Sequence, residues 1–389
     1  MNITIVGGGF GGIKAALELS KKKTNDITLI SNTEYFQYYP ALYSTATGHS
    51  YKESWVALQR IFRKAKNVRI VEDTIETITP SESIISGKSG RVYKYDNIIF
   101  ALGSVTTYFG IEGLETHAYG IKSESEVRAL QKHLIEEMSD GSDDEKNYVI
   151  IGAGPTGVEL AGALGEYLNV LRKKYNVKNE QLPGIRLIEA APRVLPRMSE
   201  KASATAQKQL EKLGIDVQLG RKVERETADA LIIDGKPLSS HTVIWTSGVA
   251  NAPFYQANAE HFQVNERGKV IVDEFMRAAP HIYVIGDNAA TPYAGLAQTA
   301  LHDALFVAKH LSGSGKKYKV VLPPSVIPIG HGWALFEWKK LRLSGLVGSM
   351  LRNAADVIGY HDILPIGWAI GTWRAGKKRE LVVPDKFEA

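Results

Sequence analysis

Two short runs of glycine are the residues best placed to do chemistry in this chain. Gly7, Gly9 and Gly12 follow Ile3-Thr4-Ile5-Val6, and Gly152, Gly154 and Gly157 (with Pro155-Thr156 between the last two) follow Tyr148-Val149-Ile150-Ile151. In the spacing GxGxxG the first glycine makes a tight turn and the second lets the backbone approach a pyrophosphate. The third lets the helix pack closely on the strand. The helix that opens there presents free N–H groups and a positive dipole end to phosphates. One such run could be a structural turn. Two runs, each after a β-branched stretch and before a helical pattern, read as two dinucleotide sites.

The acidic partners of the two turns differ. Ile185-Arg186-Leu187-Ile188 ends at Glu189, a carboxylate able to hold both ribose hydroxyls of an adenosine and to repel a 2′-phosphate, which favours NAD over NADP. Arg193, four residues on, could still accommodate a phosphate. In the first copy Ile27-Thr28-Leu29-Ile30 ends at Ser31, where the carboxylate is absent; Ser31 could bond a ribose hydroxyl, and Glu34 could swing in. A distant Gly286-Asp287 completes this first site, and a split site suits a long cofactor lying across the domain. Asp287 can accept a bond from a ribityl hydroxyl, with the following helix aimed at the electron-rich edge of a flavin. The alternative for Asp287 is an N-cap of that helix.

These residues need a scaffold, and the chain repeats one. Each copy opens with a strand, a glycine turn and a helix, and each has a closing run. Ile98-Ile99-Phe100-Ala101-Leu102-Gly103 closes the first, Val243-Ile244-Trp245-Thr246-Ser247-Gly248 the second, and Ile282 to Asp287 is a third such run. The order implies nesting, with the second domain inserted into the first. The fold class is therefore α/β, with two Rossmann-like domains. A long helix is expected from about Gly157 to Lys174, with solvated loops at Ser139 to Lys146 and Asn176 to Gly184. Pro323-Pro324 marks a boundary before a tail of different character. The length of 389 residues accommodates two or three domains.

Composition narrows the chemistry further. There is no cysteine, which removes disulfides, thiolate metal sites, iron–sulfur clusters and any dithiol relay. The net charge of +5 is spread along the chain without a basic block interleaved with aromatics, so nucleic acid is not an expected partner. The histidines lack ligand spacing, so no metal is expected. The start, MNITIVGGG, has no signal-peptide pattern, and no apolar stretch approaches the ~18–20 residues that span a bilayer. A cytoplasmic location is expected.

Together these motifs resemble the two-dinucleotide-binding-domain flavoproteins and, among them, the type II (alternative) NADH:quinone oxidoreductases. The resemblance runs nearly the full length. It rests on the first fingerprint, Pro40-Ala41-Leu42-Tyr43 to Ala46-Thr47-Gly48, Gly152 to Gly162 with Glu159, Glu189 to Pro196, Val243 to Val249, Gly286-Asp287, and Ala297-Gln298-Thr299-Ala300. It implies FAD in the first site and NADH in the second, with hydride passing to the flavin and two electrons on to a quinone, without proton pumping. It also implies residues 1–113 and 249–322 as the split FAD-binding domain, 114–248 as the inserted NAD(H)-binding domain, and 323–389 as a membrane-association or dimer region. Pro40, Ala101, Gly103, Ala297 and Gly248 fall among the cofactor-contacting positions. Glu159 is placed near flavin and nicotinamide, where it could assist proton transfer; the alternative is a helix-surface glutamate. Gln298 is placed at the quinone pocket. The family usually has a second glutamine four residues on, and here that residue is His302, either a proton or hydrogen-bond donor to a quinone oxygen or a packed helix histidine. Phe36 stands where a histidine is common.

The tail supplies the membrane argument. Trp333 to Leu343 reads as a hairpin, and Leu346, Val347, Met350, Leu351, Ala354, Val357 and Ile358 recur at helical spacing. Ile363 to Trp373 is apolar, with two tryptophans and flanking cations, as suits a helix lying in a membrane interface. The alternative is packing on the protein or a homodimer contact. The expected protein is a peripheral enzyme on the cytoplasmic face. Two rivals keep the nucleotide motifs: a soluble NADH-dependent flavin reductase or oxidase using oxygen or a carrier protein, and a redox-dependent binding module that turns over slowly.

Overall fold

The computed structural model describes residues 1–139, 146–177, 184–227, 230–240 and 242–383. Most of each expected loop, at 140–145 and 178–183, lies outside them. The first sheet runs Arg277–Ala279, Ile282–Val284, Asn97–Phe100, Asn2–Val6, Asp26–Ser31, Val68–Glu72. Its strands are parallel except the Arg277–Ala279 edge. Ile3, Ile5, Ile27, Leu29, Ile98 and Ile99 have no exposed surface, as strands covered on both faces require. The strands Arg277–Ala279 and Ile282–Val284 come from far along the sequence, so the chain leaves this sheet and returns to it.

The excursion builds a second, four-stranded parallel sheet in the order Asp216–Leu219, Gly184–Glu189, Asn147–Ile151, Thr242–Trp245. The outgoing strand Ser104–Thr106 and the returning strand Val249–Asn251 pair antiparallel, making one ribbon between the two sheets. In both sheets the strand before the glycine turn sits beside a crossover partner at the point where strand order reverses, and ligand crevices open there.

The tail departs from the sequence reading in two respects. The expected hairpin forms from Ala334–Trp338 and Leu341–Gly345, but Ser325–Pro328 joins it as a third antiparallel strand. The helix Leu346–His361 then lies with its charged side inward. Its inner row, Gly348, Arg352, Asp356 and Tyr360, faces the protein at intervals of four. A Cβ on Gly348 would come 1.9 Å from Ala334 O, so the helix rests directly on that strand. The outer row includes Leu346, Met350 and Ile358, which are 71%, 65% and 63% exposed. The next helix, Ile366–Ala375, covers the segment assigned to the membrane interface, yet its tryptophans turn to the protein. The Trp368 ring centroid lies 4.5 Å from the guanidinium carbons of both Arg60 and Arg63, and Trp373 packs on the first domain's core. Both rings are half-buried there, and the exposed Arg60 and Arg63 cover part of Trp368.

The chain then doubles back as a strap. Ser50 N donates to Lys378 O (3.0 Å), Glu380 N to Gly48 O (2.7 Å), and Arg379 pairs with Glu166 at 2.7 Å on the inserted domain's long helix. Gly48 has φ +85°, and a Cβ there would meet the Tyr167 ring at 2.3 Å. The 47–50 loop is thus pressed between tail and inserted domain, which therefore has more than the ribbon to hold it.

Candidate active site

The two glycine turns have the same construction. Gly7 (φ +119°) and Gly152 (φ +104°) adopt a backbone that glycine alone takes without strain. A Cβ on Gly7 would strike Ala101 O at 2.2 Å, which shows what Ala101 does: its carbonyl backs the turn. A Cβ on Gly12 would meet Gly7 O at 1.9 Å, and one on Gly157 would meet Gly152 O at 1.8 Å, so both helices close tightly on their strands. Nothing lies within 4 Å of a Cβ on Gly9 or Gly154; these positions open onto free space. The helices Phe10–Leu19 and Pro155–Tyr175 have no side-chain cap and no acidic residue in the first turn. The Phe10, Gly11, Thr156 and Gly157 amides therefore lack a competing acceptor, and the residues fit two pyrophosphates.

At the second turn Glu189 sits at its strand end and accepts from Ala153 N (2.6 Å) and Ala191 N (2.8 Å), fixed at the mouth of the site. Arg193 is engaged within its own loop. Its guanidinium donates to Met198 O (2.6 Å), Ser203 Oγ (2.9 Å) and Pro196 O (2.7 Å), stapling its own loop. At the first turn Ser31 is buried and would touch a Cβ on Gly8 at 2.5 Å. Glu34 is exposed.

The closing loop of the first site is a short 3-10 turn, Gly286–Asn288. The next helix, Ala297–Leu311, is separated from that turn by a loop and has Leu296 in the capping position, so Asp287 is not its N-cap. Asp287 Oδ2 accepts from Ser104 Oγ at 2.8 Å, and Lys122 Nζ reaches the same hydroxyl at 3.0 Å. The Lys122 ammonium, at the entry to the inserted domain, is lowered to about 8, mainly by burial and against the pull of Asp287 and Glu126. Asn288 Nδ2 donates to Gly103 O (2.6 Å), where Gly103 has φ +69°. Gly248 (φ +74°) returns the chain against Thr107 O, 2.4 Å from where its Cβ would lie. Asn288 Oδ1 and Thr299 Oγ1 are buried without a hydrogen-bond partner. Asn288 belongs to the closing turn and Thr299 to the helix that follows it, so polar atoms at the closing edge have capacity for a cofactor's groups.

Glu159 is not a surface glutamate. Its side chain is 11% exposed, and Oε1 pairs with Arg352 Nη1 at 3.0 Å. Arg352 Nε binds Asp356 (3.0 Å), and Nη2 donates to Pro40 O (2.7 Å). Nη1 also reaches Val326 O at 3.3 Å, and the guanidinium lies 5.8 Å from the Tyr43 ring centroid. Burial pushes the Glu159 carboxyl up to about 7, with Arg352 opposing it. Burial likewise raises Asp356, and pushes nearby Glu53 up to about 8. Burial and the sharing of one guanidinium between two carboxylates make this group able to take up a proton near neutral pH.

Gln298 is exposed at the first turn of its helix, directly after Ala297. His302 is set differently: its Nε2 is 2.9 Å from Lys319 O and its ring lies 5.4 Å from Tyr318. The structure thus gives the imidazole a packing partner in the Tyr318–Lys319 segment. Arg352, Asp356, Ser104 and Lys122 escaped the sequence reading. Arg352 and Asp356 had one available signal: two opposite charges four residues apart inside an otherwise apolar periodic segment. Among the described residues no group of three or more His, Asp or Glu could hold a metal ion.

Two open glycine turns, a carboxylate at one adenosine end and a split closing loop at the other define a two-nucleotide flavoprotein. The pyridine nucleotide-disulphide oxidoreductase family model matches residues 1–304, and the chain belongs to that family, with FAD as its flavin. The type II NADH:quinone oxidoreductase Ndh of Mycobacterium tuberculosis is 31% identical over 99% of this chain and 90% of its own length. The same organism's NdhA is 29% identical over 97% and 88%. A solved structure of NDH2 from Plasmodium falciparum in complex with NADH has the same fold, with TM-score 0.87 over 98% of this chain and 99% of that one at 19% identity. Within the wider family this chain is a member of the type II NADH:quinone oxidoreductases. The word disulphide in the family's description has no counterpart here, because the sequence holds no cysteine.

This geometry has two measurable consequences. Glu189→Arg should raise the KM for NADH roughly ten- to hundredfold and improve NADPH use, since it removes charge-assisted bonds to the ribose; steady-state kinetics with both nucleotides read this out, and an unchanged ratio would count against the assignment. Arg352→Met removes the cation that lowers Glu159. A titration seen near pH 7 in the holoenzyme's pH profile should move to higher pH in this variant and vanish in Glu159→Gln.

Proposed function

We propose that this chain oxidises NADH and reduces a quinone drawn from a membrane, through FAD and without proton pumping. The observation that carries the reading is the orientation of the helix Leu346–His361. Its inner face delivers Arg352 to Glu159, while its outer face offers Leu346, Val347, Met350 and Ile358 to the surroundings. An apolar acceptor arriving from lipid meets a buried, proton-holding group across the thickness of one helix.

When bound, FAD supplies a two-electron centre that takes a hydride from NADH and gives two electrons to the quinone. The balance is NADH, quinone and one proton to NAD⁺ and quinol. Gly9, Gly154 and the open amides beside them hold the two pyrophosphates, and Glu189 holds the adenosine ribose of NADH. Asp287, with Ser104 and Lys122, grips the ribityl end of the cofactor. Glu159 retains a proton near neutral pH where the inserted domain meets the tail, and can release it as charge builds on the acceptor. Gln298, exposed at the first turn of its helix, offers its amide to a quinone carbonyl. His302 holds Lys319 in place and acts on the acceptor only through that segment.

The membrane contact is part of the same proposal. Among the described residues no helix is long and apolar enough to cross a bilayer. The outer face of Leu346–His361 instead lies in the interface of the cytoplasmic leaflet. Trp338 and Leu341 extend it: they are cross-strand partners, 42% and 51% exposed. The basic residues Arg60, Arg63, Arg374 and Lys377 stand on neighbouring segments and suit anionic headgroups.

Anaerobic reduction of the flavin by NADH, followed by mixing with quinone or with oxygen, separates this reading from its rivals. Quinone should reoxidise the flavin faster; faster reoxidation by oxygen would identify a soluble oxidase, and slow return with both would identify a binding module. Leu346→Glu, Met350→Glu and Ile358→Glu together should abolish co-sedimentation with liposomes, as about 1.5–3 kcal/mol of apolar transfer is lost at each site, while leaving flavin reduction by NADH intact. If instead the triple variant stays on liposomes but changes from dimer to monomer, that face is a homodimer contact.

A further inference from the structure

Asp303 lies on the helix Ala297–Leu311, is completely buried, and forms no ion pair among the described residues. Its two oxygens each take one donor: Gly286 N reaches Oδ2 at 3.0 Å, and Tyr318 OH reaches Oδ1 at 2.7 Å. Burying a carboxylate on two neutral donors is costly, and an apolar residue would fill the same space at lower cost. The location supplies a reason for it. Gly286 is the residue before Asp287, has φ +69°, and is pressed so closely on the helix that a Cβ would lie 3.2 Å from Ala300 Cβ. Without an acceptor from the helix, the Gly286 amide would be buried and unpaired at the turn that aims Asp287.

We infer that Asp303 is a positioning residue for the flavin cofactor: it clasps the Gly286–Asp287 turn to the helix and holds Asp287 in its gripping orientation before FAD arrives. The inference rests on the proposal above that Asp287 binds FAD. The second donor makes the clasp stiff. Tyr318 also packs edge-on against Phe306 at 5.2 Å, and its backbone N–H donates to Glu274 O at 2.8 Å, so the hydroxyl that fixes Asp303 is itself fixed. His302, one residue earlier, holds the adjoining Lys319 carbonyl, which prevents the segment from sliding along the helix. A turn ordered in advance spares the cofactor that ordering cost on binding, and the advantage appears as slower release.

Asp303 stands in the middle of a largely apolar helix. It is the tertiary contact that turns the side chain inward.

The test is the rate at which FAD leaves the holoenzyme, followed by the rise of flavin fluorescence on dilution, together with melting temperatures measured with and without excess FAD. Asp303→Ala should release FAD on the order of tenfold faster, since it strands a buried amide at the turn. Tyr318→Phe, which leaves the Gly286 bond in place, should have a smaller effect in the same direction. Asp303→Asn keeps one oxygen for Gly286 N and lets the Tyr318 hydroxyl turn to accept, so it should restore most of the slow release. If Asp303→Ala fails to fold, the comparison of Asn and Phe variants carries the test. Release rates equal to wild type in the folded variants would overturn the inference, as would a loss of stability of the same size with and without FAD. Asp287→Ala serves as the reference: if it too leaves release unchanged, the FAD reading of Asp287 fails; if it speeds release while the Asp303 variants do not, the clasp alone fails.

Discussion

The Arg352 guanidinium is the contact on which the arrangement of this molecule turns. It binds Glu159 of the inserted domain, the Pro40 carbonyl of the first domain, the Val326 carbonyl of the tail sheet, and Asp356 one turn along its own helix. A buried cation is tolerable only when its donors are met, and arginine's planar fork is suited to meeting several at once. Those contacts tie the tail helix to the chain at Pro40, to the tail sheet at Val326 and to the inserted domain at Glu159. They also leave two carboxylates for one cation, so a group able to hold a proton lies at the junction.

The two nucleotide sites show one backbone solution used with different side chains. Both turns need a first glycine at positive φ, an open second position and a third glycine in contact with the first, and in both the third glycine closes on the first equally tightly. What differs is the far end. Glu189 is held by two amides at the mouth of its turn, whereas Ser31 is packed beside Gly8 and carries no charge. The first site compensates from across the chain, with Asp287, Ser104 and the inserted domain's Lys122 in one hydrogen-bonded row. In the proposed reading this row holds a long cofactor at its middle, and Glu189 holds the nicotinamide nucleotide at its adenosine end.

The tail helix inverts the usual relation between polarity and depth. In a water-soluble protein the apolar stripe of a helix faces the core. Here the inner row carries Arg352, Asp356 and Tyr360, the last donating to Glu53 O at 2.7 Å and stacking on Tyr38 at 4.1 Å, while the outer row is leucine, methionine and isoleucine. Such a helix is consistent with two solvents, a polar protein interior and an apolar exterior, and an exposed apolar face of this size marks a contact with lipid or protein. The following helix turns its half-buried tryptophans towards the protein, Trp368 against Arg60 and Arg63 and Trp373 against the first domain's core.

Chain order, local turn chemistry and composition determined the α/β class, the building of a second parallel sheet between two parts of the first, the two glycine turns, the Glu189 carboxylate at its strand end and the exclusion of thiol chemistry. These are legible because backbone sterics at glycine and the absence of a residue type are local facts, independent of what packs where. The hairpin at Ala334–Trp338 and Leu341–Gly345 was legible for the same reason. Tertiary structure alone decided which face of each tail helix turns inward, that Arg193 is committed to its own loop, that His302 meets Lys319, and that Asp287 answers to Ser104 and not to the helix after it. It also decided the partners of Arg352 and Asp303. Periodicity tells which residues share a helix face, but the direction of that face is set by the element it meets, and Arg352 meets one that lies 312 positions away in the chain.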